Sequence, residues 1–214
     1  MTLLDTTSRS GCKWLYKVKD NIDGSVNRYQ ARLVAKGFEQ THDIDYDETF
    51  APVAKMTTVR VVFTLVPPRG CHLHQIDVKN VFLQGDLEER VVMVQPLRFQ
   101  SELNKLIVCR LKKSLYSLKQ APHTWNSKIT QQLHKMGFEV SKFDSSLFIR
   151  KDQKSLICIL LYVDDLLVTG ADLVEINRVK SQLLAAFEMK DLGDFHYFLG
   201  IKVIHIPNGI LLTQ

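Results

Sequence analysis

An α+β fold is predicted by three features of the sequence. Apolar segments with strand character mix irregularly with segments of helical period, without the repeating strand-helix-strand unit of a doubly wound fold. Two stretches, one starting at Trp125 and one at Leu173, gather apolar residues on single helical stripes. A third, Leu156 to Thr169, is apolar and β-rich except for two adjacent acids in its middle. With 45% apolar residues among 214, the chain can bury a core as one domain or as one domain with a subdomain.

Taken in order, the first element is a hairpin reaching to Lys36, in which Asn21-Ile22-Asp23-Gly24 separates a stretch with Trp14 and Val18 from one with Val26, Tyr29, Leu33 and Val34. Arg28, Arg32 and Lys36 recur every four residues, so a strand would place all three on one face. From pattern alone a solvated edge strand is the plainer reading of that face. A helix is expected over Thr57 to Val66, ended by Pro67-Pro68, because an interior proline costs roughly 3 kcal/mol. Cys71 to Phe82 reads as a strand running into a turn.

Pro122 lies just ahead of a helix that carries Trp125, Ile129, Leu133 and Met136 on one face, and Gly137 should stop it. Trp125 on that stripe reads as core rather than as a base-stacking platform. Leu156 to Val163 and Leu166 to Thr169 form a hairpin of buried strands with Asp164-Asp165 at the bend. A last helix covers Leu173 to Phe187, with Leu173, Ile176, Val179, Leu183 and Phe187 on its stripe. Strands follow over Phe195 to Ile206 and, after Asn208-Gly209, over Ile210 to Thr213. There is no internal repeat and no low-complexity segment.

The net charge of +5 favours polyanionic partners only modestly. Four scattered cysteines without a CxxC pair point to a reducing setting rather than a disulfide framework. No apolar run approaches the roughly 20 residues that span a bilayer, so a soluble protein is expected.

The chemistry centres on Tyr162-Val163-Asp164-Asp165. Carboxylates beside a buried strand need a positive partner, and no Lys or Arg follows within ten residues, which leaves a distant side chain or a metal ion. An exposed turn needs neither, since turns favour Asp. Asp77, near the end of His74-Gln75-Ile76-Asp77-Val78, is a second acid of similar character. Mg²⁺ takes hard oxygen ligands, and phosphoryl transfer with two such ions steadies both the attacking and the leaving oxygen. Three acids from neighbouring strands would suit that chemistry. They would equally suit a metal-dependent nuclease or phosphatase. His72 and His74 share a strand face, but without a third ligand a zinc site is the weaker reading.

Several ordered motifs resemble the reverse transcriptases of copia-type LTR retrotransposons. They are Cys12-Lys13-Trp14, Ala31-Arg32-Leu33-Val34-Ala35-Lys36-Gly37, Asp45 through Val53, Gln75 through Asn80, Leu111 through Tyr116, Leu118-Lys119-Gln120-Ala121-Pro122, Tyr162 through Asp165, Phe187 through Gly193 and Tyr197 through Ile201. The resemblance implies a right-hand polymerase with fingers near residues 11–70 and 85–125 and a palm near 71–84 and 126–214. Residues 1–10 stand apart as an atypical start, and a thumb and RNase H part are expected to be absent. It also implies RNA-directed DNA synthesis, with Asp77, Asp164 and Asp165 holding two Mg²⁺ ions, for which Mn²⁺ is a substitute.

The partners implied are an RNA or DNA template with its primer and a deoxynucleoside triphosphate, with no membrane, in a cytoplasmic particle or the nucleus. Phe82 would exclude a 2′-hydroxyl, Gln120 would lie against the incoming nucleotide, and Arg32 or Lys36 would reach its triphosphate. Tyr197, Phe198, Leu199 and Gly200 would grip the primer end. Lys112, Lys113 and Lys119 would track template phosphates.

The family usually shows tyrosine at Val92, glutamate at Val94, Pro-Gly at Leu97-Arg98 and glycine at Ser117, and seldom Pro67-Pro68. Losing a glycine can forbid a left-handed backbone. A folded but catalytically inactive remnant is therefore the alternative to a working polymerase.

Overall fold

The computed structural model describes residues 9–21, 23–65, 70–99, 108–152, 155–198, 201–206 and 209–213. Its strands, in chain order, are β1 (Arg9–Ser10), β2 (Cys12–Asp20), β3 (Val26–Ala35), β4 (His72–Val78), β5 (Val92–Val94), β6 (Val108–Arg110) and β7 (Glu139–Val140). They continue with β8 (Leu147–Lys151), β9 (Leu156–Tyr162), β10 (Asp165–Gly170), β11 (Met189–Asp194), β12 (Tyr197–Phe198), β13 (Ile201–Ile206) and β14 (Gly209–Thr213). The helices are α1 (Met56–Leu65), α2 (Val81–Gln84), α3 (Ala121–Lys135) and α4 (Leu173–Ala186). The content is mixed α and β, as expected, and the chain divides into two compact units, residues 1–51 with 82–128 and residues 52–81 with 129–214.

In the first unit β2 and β3 form a two-stranded ribbon in which Cys12 faces Ala35 and Lys19 faces Arg28. Directly opposed side chains share a face. Lys13, Lys17, Lys19, Arg28 and Arg32 therefore line one side of the ribbon, while Trp14, Tyr16, Val18, Tyr29 and Leu33 line the other. Lys36 lies past the end of β3 and meets Glu39 at 3.6 Å, so it does not continue the Arg28 and Arg32 face. The turn is closed by Asp23, whose Oδ1 accepts from the backbone N–H and the hydroxyl of Ser25, and by Gly24 at φ 81°. A small core of Ala35, Val91, Met93, Leu118 and Ala121 holds this unit. Gly37 abuts the Ser117 carbonyl so closely that any Cβ there would collide with it.

The second unit is built on a six-stranded antiparallel sheet ordered β11-β4-β10-β9-β8-β7. Side chains alternate across it. Leu73 and Leu167, with Leu160, meet Val59 and Phe63 of α1 and Phe195, Phe198 and Val203. On the opposite face α4 packs against β10 and β11, burying Ile176, Val179 and Leu183 of the expected stripe. Asp172 caps α4 by accepting from the N–H groups of Val174 and Glu175. Asp144, in the β7–β8 connection, accepts from Lys55 N (3.1 Å), Ser146 N (3.0 Å), Ser146 Oγ (2.6 Å) and Thr58 Oγ1, tying the start of α1 to the sheet.

The boundaries depart from the sequence reading in instructive places. The strand expected over Cys71 to Phe82 stops at Val78, because Asn80 turns into the left-handed region at φ 49° and α2 follows. α3 begins at Ala121, before Trp125, since a proline in the first helical turn loses no helix bond. Trp125 is 2% exposed and is core. β11, which the sequence reading left without structure, pairs with β4 through a bulge.

Candidate functional site

Strand register assembles the acids. Asp165 opens β10 directly opposite Asp77 of β4, and Asp77 is in turn directly opposite Lys190 of β11. Tyr162 ends β9 opposite Asp165. A single row therefore crosses four strands, Lys190, Asp77, Asp165 and Tyr162, with all four side chains on the face that α1 covers further along. Asp164 lies in the two-residue turn beside that row, and its carbonyl accepts from Val78 N at 2.8 Å. The expected hairpin bend and the remote acid thus meet at one end of adjacent interior strands.

The turn is strained. Val163, its first central residue, holds φ 51°. Tight hairpin turns normally give that position to glycine, and a β-branched residue held there costs on the order of 1–3 kcal/mol. The neighbouring pairings Tyr162–Asp165 and Val78–Asp164 leave the backbone little alternative.

Asp165 is half-buried, and burial pushes its carboxyl above the usual carboxylate range. A bond from Gln75 Nε2 to its Oδ1 at 2.9 Å works the other way, and the charges of Asp164 and Asp77 add to the rise. Among the described residues no lysine, arginine or histidine forms an ion pair with any of the three acids. Carboxylates are the hard-oxygen donors that a divalent cation takes. No three ligating side chains among the described residues are drawn together into a ready-made cage. Mg²⁺ is usually bound by only one or two carboxylates and completes its shell with water and substrate phosphates.

The other expected site residues fall in separate places. Arg32 lies over the Tyr116 ring at 4.8 Å, and Phe82 meets the same ring edge-on at 5.1 Å. Tyr116, to which sequence reasoning attached no role, thus joins the two. Gln120 is fully buried, its Nε2 donating to the Asp45 carbonyl at 3.0 Å and its Oε1 accepting from Gln40 Nε2 at 3.1 Å. Both ends of that amide are used within the protein. Lys112, Lys113 and Lys119 are exposed.

Tyr197 is exposed, whereas Phe198 is buried and meets the Tyr162 ring at 5.8 Å. Leu199 and Gly200 lie outside the described residues. His74 faces Lys180 rather than a metal cluster. Lys190 was also missed. It stands opposite Asp77 only through the pairing of β11, a strand that carried no signal in the sequence.

Comparison with known proteins adds the lineage. Residues 4–214 match the family model described as reverse transcriptase (RNA-dependent DNA polymerase), so the match includes part of the segment set apart as 1–10. The chain is 45% identical over 204 residues to the Retrovirus-related Pol polyprotein from transposon RE2 of Arabidopsis thaliana, covering 95% of this chain and 14% of that protein. It is 44% identical over 204 residues to the corresponding polyprotein from transposon RE1 of the same plant, with the same coverage. With the polyprotein from transposon TNT 1-94 of Nicotiana tabacum it shares 42% over 194 residues, 90% of this chain and 15% of that one. It spans about one-seventh of the length of these relatives. No described helix is long and apolar enough to cross a membrane. The chain belongs to the reverse transcriptase (RNA-dependent DNA polymerase) family, on its copia-type LTR retrotransposon branch.

Proposed function

We propose that this chain is the polymerising part of a copia-type reverse transcriptase, extending a primer 3′-hydroxyl with deoxynucleotides on an RNA or DNA template. The observation that carries the reading is the row of Asp77 and Asp165 with Asp164 in the strained turn beside them. These acids would hold divalent ions, Mg²⁺ or Mn²⁺, which when bound supply a polarised hydroxyl and charge neutralisation at the phosphate. Residues 71–84 and 126–214 are assigned to the palm, and residues 11–70 and 85–125 to the fingers.

Within that assignment each remaining residue has a task. Gln75 fixes the orientation of Asp165 through its amide. Lys190, next to Asp77, offsets part of the carboxylate charge. Phe82, braced by Tyr116, selects against a 2′-hydroxyl, and Arg32 with Lys36 offers cations to the triphosphate. Gln120 shapes the nucleotide pocket through the Gln40 and Asp45 loop it holds. Tyr197 and Phe198, with Leu199 and Gly200, grip the primer.

The second reading, an inactive remnant, is favoured by Arg98 and Ser117, which occupy left-handed backbone at φ 74° and 71° where the resemblance leads one to expect glycine. Primer extension on an RNA template with deoxynucleotides and Mg²⁺ separates the two. Extension that disappears in an Asp164→Asn, Asp165→Asn variant supports the polymerase. No extension from folded wild-type protein supports the remnant.

A further inference from the structure

The place of Lys190 beside Asp77 depends on β11 keeping its register, and the sequence of β11 does little to secure it. Met-Lys-Asp-Leu-Gly-Asp offers one buried residue, Met189, and a one-residue slip would turn Lys190 to the opposite face of the sheet. The strand is not uniform. Its pairing with β4 runs Met189–Val78, Lys190–Asp77 and Asp191–Ile76, then skips Leu192 and resumes at Gly193–Gln75 and Asp194–His74. Without the bulge Asp191 and Asp194, three residues apart, would point to opposite faces. With it, both stand on the face of Ile76 and His74, the side on which α4 packs.

A buried lysine waits there. Lys180 of α4 is 6% exposed, and its Nζ donates to Asp191 Oδ2 at 2.8 Å and lies 3.3 Å from His74 Nδ1. The other oxygen of Asp191 accepts from Gly193 N at 2.9 Å, which closes the bulge, and Gly193 takes φ 75°. Burial opposes the charged form of Asp191, yet the bonds from Lys180 and Gly193 hold its carboxyl below the usual range. One ammonium group thus reaches β4 through His74 and β11 through Asp191, on the face opposite the carboxylate row. A buried ammonium without its carboxylate is strongly unfavourable, so it favours the register that keeps Asp191 on the α4 face, and Asp191 in turn closes the bulge through Gly193 N.

We infer that Lys180 is a positioning residue: its bonds to Asp191 and His74 pin the β11 bulge and thereby hold Lys190 beside Asp77. The pin is a statement about register, while its consequence for catalysis rests on the proposed polymerase reading. The two are testable apart.

Asp77→Cys with Lys190→Cys makes a register reporter, because directly opposed strand residues fall within the Cα separation a disulfide requires. The 77–190 bond is read as a cross-linked peptide by mass spectrometry, which distinguishes it from links made by the four native cysteines. Cross-linking is expected to be fast with the native lysine at position 180 and with Lys180→Arg, and at least tenfold slower with Lys180→Met. Hydrogen exchange of β9 and β10 should be unchanged in the methionine variant. Equal cross-linking in Lys180→Met and wild type overturns the inference.

Should Lys180→Met not fold, Asp191→Asn serves in its place, with the same slowing expected and the same refutation. Primer extension by the single variants, with both native residues at 77 and 190, should fall at least tenfold for methionine and recover for arginine. A wild type that does not extend at all counts against the polymerase reading and leaves the cross-linking result standing.

Discussion

Replacing Ser117 with glycine should make the protein more stable. Ser117 sits at φ 71° with an exposed side chain, and its carbonyl is pressed against Gly37, so the backbone cannot relax elsewhere. An L-residue in left-handed backbone costs about 1–2 kcal/mol. Glycine removes that cost but gives the unfolded chain additional freedom worth about 0.5–1 kcal/mol. The net gain is roughly 0.5–1 kcal/mol, which for a chain of this length raises Tm by about 1–4 °C. The only two tryptophans, Trp14 and Trp125, both belong to the unit that contains Ser117, so fluorescence-detected guanidinium unfolding reports on that unit. Ser117→Ala is the control, because it keeps a Cβ and should gain nothing. A glycine variant no more stable than the alanine variant would refute the strain.

Three further outcomes follow from buried polar groups. Asp144→Ala strands the Lys55 and Ser146 N–H groups and should cost about 3 kcal/mol, measured by urea unfolding with a probe in the second unit. Burial opposes the Asp144 carboxylate, but bonds from Ser146, Thr58 and Lys55 hold it below the usual range. Its contribution is therefore present above the unfolded carboxylate pKa and lost as pH falls through the lower folded value, a loss that Asp144→Ala should abolish. His74 is held below the usual imidazole range by burial and by Lys180, against the pull of Asp194 and Asp191. The unfolded chain protonates first, so stability is full above about pH 6.5 and declines below it; His74→Gln should flatten that decline in a pH series of unfolding midpoints. Asp165→Asn should raise the unfolding midpoint of the metal-free protein, since burial and the charges of Asp164 and Asp77 disfavour its ionised form, and a lower midpoint would contradict that account.

Much of the fold could be read from local pattern. The stripe of α4, the buried hairpin of β9 and β10, the turn at Gly24 and the core position of Trp125 each follow from residues close in sequence, where period and turn chemistry act directly. The acids of the candidate site were equally visible, because charge inside an apolar run is costly enough to attract notice. Arg98 and Ser117, where the resemblance leads one to expect glycine, hold left-handed backbone of the kind that glycine relieves.

What local pattern could not supply was decided by pairing across long separations. β11 is mostly polar and becomes a strand only because β4 offers it a partner and Lys180 binds its bulge. The 80- and 75-residue separations that bring Gln40 and Asp45 to Gln120 explain why the full burial of that amide could not be read from its neighbours in sequence. Lys190 and Asp77, more than a hundred residues apart, become neighbours only through sheet register. Sequence alone determined which residues are candidates for the chemistry, since that is a property of side-chain type. Tertiary structure determined which of them meet, because hydrogen-bond register between distant strands is set by the packing of the whole sheet and not by any one segment.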